Sequence, residues 1–111
     1  YGNLGLVYHR KGEWDKAIGF YEKSLGTFEK LGDVHGMAQT YGNMGIMYKK
    51  QGKLDEARKL FLQSLETFTK LGAKHEASTI LDHLQDLAQE YRERGDIGKA
   101  EEIERTLQRD Q

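Results

Sequence analysis

Residues 1–33, YGNLGLVYHRKGEWDKAIGFYEKSLGTFEKLGD, are answered forty positions later by residues 41–73, YGNMGIMYKKQGKLDEARKLFLQSLETFTKLGA. Laid over one another without a gap, residues 1–40 and 41–80 are identical at 16 of 40 positions. A fixed period of this length is the mark of a chain built from stacked units, and it organises everything else. A third copy follows, with Tyr91, Gly95 and Ala100 lying 43 residues after Tyr48, Gly52 and Ala57. The three extra residues make about one helical turn of 3.6 residues, so the apolar phase is kept. The units are therefore 1–40, 41–80 and 81–111, the third with a longer first helix. The 111 residues are read as a segment of an array, with the first helix truncated at Tyr1.

Inside each copy the apolar residues recur at helical spacing. Leu4, Val7 and Tyr8, then Met44, Met47 and Tyr48, follow the i, i+3, i+4 rule, as do Ala17, Phe20, Tyr21, Ser24, Leu25 and Phe28. Gly12, Gly52 and Gly95 end the first helix of a copy, and Gly32 and Gly72 end the second. Asp15, Asp55 and Asp96 stand near the start of each second helix, where a carboxylate complements the helix dipole. The chain has no Pro, in keeping with helices joined by Gly turns. Gly19 and Gly26 fall inside a helix, each at about 1 kcal/mol relative to Ala, with no sequence-level reason for their presence.

Small residues at Gly5, Gly45 and Ala88 and at Ala17, Ala57 and Ala100 accompany an aromatic at Tyr8, Tyr48 and Tyr91. Together with Gly before the second helix, this pattern resembles the tetratricopeptide repeat (TPR) over essentially the whole chain. The 40-residue period, with Asn-Leu-Gly or Asn-Met-Gly in the first helix, is similar to the repeats of Leu-Gly-Asn-type polarity adaptors, kinesin light chains and bacterial peptide-sensing regulators. The resemblance implies an all-α solenoid of antiparallel helix pairs, a right-handed superhelix whose inner groove is lined by the first helices. It also implies a non-catalytic scaffold for a protein or an extended peptide. Alternatives are a peptide-sensing regulatory segment of a larger signalling protein and a self-associating structural module.

Dividing the first helix by angle, at about 100° per residue, puts Leu4, Gly5 and Tyr8 on the packing side and Gly2, Asn3, Leu6, His9 and Arg10 opposite. The equivalent outer residues are Gln39, Gly42, Asn43, Ile46, Lys49 and Lys50 in the second copy. Counted from Gly95, they are Asp82, Gln85, Asp86, Gln89, Arg92 and Glu93 in the third. Asn3 and Asn43 are the central binding candidates, because an amide donates and accepts together and so matches one peptide unit. Gly2 and Gly42 are expected to remove bulk beside them, and Leu6 and Ile46 to receive an apolar side chain; packing between repeats is the competing role for all of these.

The last helix keeps Ala100, Ile103 and Leu107 but carries Glu104, Gln108 and Gln111 where the earlier copies have apolar residues. It reads as a C-terminal cap, while the truncated N-terminal end leaves open a homodimer. The net charge of -1 gives no drive toward nucleic acid. It conceals 5 basic and 5 acidic residues in 1–40, 7 and 4 in 41–80, and 5 and 9 in 81–111. The absence of Cys excludes disulfides and thiolate metal sites, and no stretch is long and apolar enough for a membrane span. The expected compartment is cytoplasmic. His75-Glu76 lacks the second His of His-Glu-x-x-His, His83 with Asp86 is an ordinary helical pair, and Ser24 and Ser64 have no base at helical spacing. No catalytic residue, metal or cofactor is expected.

Overall fold

A computed structural model describes residues 13–109. Among these residues five α-helices follow one another: α1 Trp14–Leu31, α2 Val34–Lys50, α3 Leu54–Lys70, α4 Lys74–Glu93 and α5 Ile97–Arg109. Each packs on its neighbour in sequence, and α2 and α4 touch lightly besides, which makes an all-α repeat solenoid. At 20 residues, α4 is three longer than α2.

One local device ends the first four helices. Gly32, Gly52, Gly72 and Gly95 all adopt positive φ, between 70° and 83°. The residue after each Gly donates its backbone N–H to an aromatic residue's carbonyl five positions back: Asp33 to Phe28, Lys53 to Tyr48, Ala73 to Phe68 and Asp96 to Tyr91, at 2.8–3.0 Å. This is the Schellman arrangement, in which a left-handed residue lets the chain turn back and satisfy a terminal carbonyl. Gly12, assigned the same task from the sequence, lies outside the described residues.

The core follows the small residues. Ala17, Ala57 and Ala100 are fully buried. Ile18 and Tyr21 of α1 meet Met44 and Met47 of α2 in one apolar cluster. A larger cluster runs through α2 to α5, including Phe61, Leu65, Phe68, Leu84, Leu87, Tyr91 and Ile103. The Ser64 hydroxyl, buried at the α2–α3 contact, donates to the Ala38 carbonyl at 2.7 Å. It acts as a small packing residue with its polar atom satisfied.

Polar ties join the ends of the pairs. The Gln51 amide donates to Asp15 at 2.6 Å, and the Tyr91 hydroxyl donates to Asp55 at 2.6 Å, each across 36 residues. Lys99 adds a bond to Asp55 at 3.0 Å. The Tyr91 hydrogen bond first, and the Lys99 ammonium second, hold the Asp55 carboxyl below its ordinary value. Burial, and then Asp55, push the Tyr91 phenol well above the usual value for tyrosine. On α5, Ala100 and Ile103 are buried, Gln108 is exposed, and Glu104 accepts two hydrogen bonds from Arg92. Gln111 and the expected open face at the N-terminus lie outside the described residues.

Gly19 and Gly26 have no heavy atom of the described residues within 4 Å of where a Cβ would stand. Their counterparts forty residues on, Lys59 and Glu66, are exposed. Nothing among the described residues requires glycine at either position. Gly19→Ala and Gly26→Ala are expected to raise stability by about 0.5–1 kcal/mol each, through helix propensity and a less disordered unfolded chain. Thermal and urea denaturation will check this; a fall in stability would mean that both positions are covered.

Candidate functional site

Gln39, Gly42, Asn43 and Ile46 of α2 come together with Phe68 of α3 and with Glu76, Thr79, Ile80 and His83 of α4 around a cleft of about 320 Å³. The α2 wall arises because 39, 42/43 and 46 recur at one helical turn. Asn43 and Gln39 are exposed, and their amides make no hydrogen bond among the described residues.

Two of the expected wall residues do more than line the cleft. A Cβ on Gly42 would stand 3.1 Å from the Ile80 methyl and 3.4 Å from the Ser64 hydroxyl, closer than most real contacts. The space expected for a partner is thus used by Ile80, and Gly42 lets α4 close on α2. Ile46 is half-buried and packs against both apolar clusters, so it forms floor as well as wall. Lys49, half-buried, and Lys50, exposed, follow on the last turn of α2, and neither has an ion-pair partner among the described residues.

On α4 the expected residues and the observed wall differ. Asp82, Gln85, Asp86 and Gln89 are exposed and do not line the cleft. Arg92, assigned to the same outer sector, turns instead to Glu104 of α5. The wall is made by Glu76, Thr79, Ile80 and His83. The reason is where the three extra residues of α4 are counted. Measured back from the Gly turns, 43 apart, Gln85 and Asp86 replace Gly42 and Asn43. Measured from the helix starts, Val34 and Lys74, 40 apart, Thr79 and His83 stand where Gln39 and Asn43 stand. The cleft follows the starts, and the unbroken spacing of 40 through His35 and His75 was the signal for it. Gly2, Asn3, Leu6, His9 and Arg10 lie outside the described residues.

The titratable groups of the cleft are restrained. Glu76 faces His35 across the α2–α4 boundary at 2.8 Å, and that hydrogen bond holds its carboxyl below the usual range. The His35 ring also meets Phe68 edge-on, with centroids 5.5 Å apart. The half-buried His83 ring lies nearly parallel to Phe61, at 5.3 Å between centroids and 4° between planes. Burial pushes its pKa below 6.5; Lys49 acts in the same direction, and Asp86 and Asp82 oppose it.

A larger recess, of about 520 Å³, lies between the second helices α3 and α5 beside Arg58, Leu62, Ile103 and Thr106. Part of its polar rim is engaged, with Arg58 bonded to Glu102 at 3.1 Å and Asp55 to Tyr91 and Lys99, while Glu56 and Lys59 have no hydrogen-bond or ion-pair partner among the described residues. Volume alone favours this recess. The α2–α4 cleft differs in carrying the neutral amides of Gln39 and Asn43, which make no hydrogen bond among the described residues. Among the described residues no group of three or more metal-ligating side chains assembles, and no helix is long and apolar enough to cross a membrane.

Compared with models of protein families, the chain matches one described as tetratricopeptide repeat, over residues 1–70 and again over residues 36–107. No curated protein matches it.

Proposed function

The chain belongs to the tetratricopeptide repeat family, whose members generally mediate protein–protein interaction, and from this premise we propose that it is a non-catalytic scaffold that grips an extended peptide segment in the α2–α4 cleft. The observation that carries this reading is the pair of exposed amides, Gln39 and Asn43, one helical turn apart on the cleft wall and without a hydrogen bond among the described residues. An amide offers a donor and an acceptor at once, so each can pair with a peptide unit without reading the side chain. Ile46 and Ile80 beside them give the partner's apolar side chains a surface that excludes water.

Beyond the cleft, Lys49 and Lys50 add positive charge with no ion-pair partner among the described residues, while Asp82 and Asp86, exposed on α4 outside the cleft lining, supply the opposite sign. A partner would therefore be oriented as well as held. Asn3, the counterpart of Asn43 in the first copy, extends the same row by one repeat in this reading.

Screening a displayed peptide library against the protein tests the assignment. Asn43→Ala and Gln39→Ala are each expected to weaken the selected peptides about 3- to 10-fold, the loss of a hydrogen bond contributing about 0.5–1.5 kcal/mol. Neither is expected to move the melting temperature. Gln63→Ala, on the exposed face of α3, is the control and should bind as wild type. Unchanged binding in both α2 variants, or losses that track unfolding, would dismiss the groove.

A further inference from the structure

The polar groups inside the α2–α4 cleft are either paired or uncharged. Glu76 is engaged by His35, the Thr79 hydroxyl donates to the His75 carbonyl at 3.2 Å, and Gln39 and Asn43 are neutral amides. Ile46, Ile80 and Phe68 form the apolar surface between them. His83 completes it, and the parallel contact with Phe61 fixes the ring in place. At about 320 Å³ the cleft stands at the low end of ligand pockets, which run from about 300 to 1,000 Å³. That suits one inserted side chain better than a whole cofactor.

We propose that this cleft is a socket for a single uncharged aliphatic side chain of an extended peptide, with the imidazole of His83 as its specificity-determining wall. The proposal rests on the groove reading above and adds the chemistry of what enters. A charged side chain would lose its hydration there with no unpaired counter-charge among the residues that line the cleft, Lys49 lying outside that lining, whereas an aliphatic one covers the half-exposed Ile46 and the edge of Ile80. The flanking peptide units then run beside Gln39 and Asn43.

The wall suits an aliphatic guest only while the imidazole is neutral. Burial and Lys49 favour the neutral form; Asp82 and Asp86, on the same helix, favour the charged one. The remaining titratable groups of the cleft are Glu76 and the His35 that faces it. An apolar guest binds the neutral imidazole preferentially and depresses its pKa further. Binding is therefore fully present above the already depressed pKa of the free protein and weakens as pH falls from there toward the lower pKa of the complex.

The test is an NMR titration of the protein, observing the isoleucine methyl groups and the backbone amides. The probe is acetyl-Gly-Gly-Leu-Gly-Gly-amide, run beside the same peptide with Lys or Asp at its centre. The leucine probe is expected to shift Ile46, Ile80 and Asn43 saturably at neutral pH, and to lose affinity as pH is lowered toward about 5. The charged probes should bind at least about fivefold more weakly than the leucine probe at neutral pH. His83→Phe and His83→Gln carry no titrating ring, and in both the ratio of affinities between the two pH values should fall below about twofold.

Absence of saturable shifts at Ile46 and Ile80 would overturn the socket. So would equal binding of the charged probes, or an undiminished pH ratio in both His83 variants. If displayed peptides are still captured through Gln39 and Asn43 in those cases, the groove reading stands and only the socket falls. If capture fails as well, both fall.

Discussion

Phe61→Ala is expected to lower the free energy of unfolding by about 3–5 kcal/mol, measured by urea denaturation. The side chain is fully buried, and it belongs to the cluster that runs through α2, α3, α4 and α5. Its ring is met by the backbone of α2 at Gly45 and by His83 of α4. Truncation leaves a void bordered by three helices, none of which can fill it without breaking its own contacts. Small domains hold about 5–15 kcal/mol in total, so this one change would remove at least about a fifth of it. At about 4–8 °C per kcal/mol for a chain of this size, the melting temperature should fall by more than about 12 °C. A loss below about 1.5 kcal/mol would show that α2 and α4 collapse onto the space.

Gly45→Ala is expected to destabilise by about 1–3 kcal/mol, although Ala is the better helix former by about 1 kcal/mol. The added Cβ would stand 2.8 Å from Phe61 Cε1 and 2.9 Å from Cδ1, closer than real Cβ atoms approach. The ring is pinned by the parallel His83, so relief requires α2 to move away from α3. Thermal denaturation of Gly45→Ala, Phe61→Leu and the double variant would measure the coupling. If the clash is the cause, the double variant should be more stable than the sum of the single losses by about 0.5–3 kcal/mol. Gly19→Ala is the internal control, because the same substitution in an open position has the opposite sign.

The sequence carried the helices and turns because those are local. Gly32, Gly52, Gly72 and Gly95 occupy the one backbone region that most residues avoid, and the spacing of Ala17, Ala57 and Ala100 marks positions with no accessible surface. The α2 wall was legible for the same reason: Gln39, Asn43 and Ile46 are a single-helix pattern. The α4 wall was not, because it depends on where three inserted residues are absorbed. Periodicity fixes the phase of the helix but leaves its register against α2 open. His83 was missed as a wall residue, since its stacking on Phe61 joins residues that share no spacing rule. Gly42 shows the limit from the other side. An exposed-looking angular position proved to be buried, because Ile80 reaches across from the next pair.

The identical Gly turns also bear on how the chain folds. Each is closed by backbone bonds within six residues, so a helix end needs nothing from a distant segment. Among the described residues, helices meet only their sequence neighbours, apart from the light α2–α4 contact. Low sequence separation of contacts favours rapid collapse, and a linear stack can nucleate at any interface and propagate from there. The middle helices, buried from both directions, are the natural nucleus. Amide hydrogen exchange should be slowest in α3 and grow faster toward α5, with protection declining along the stack.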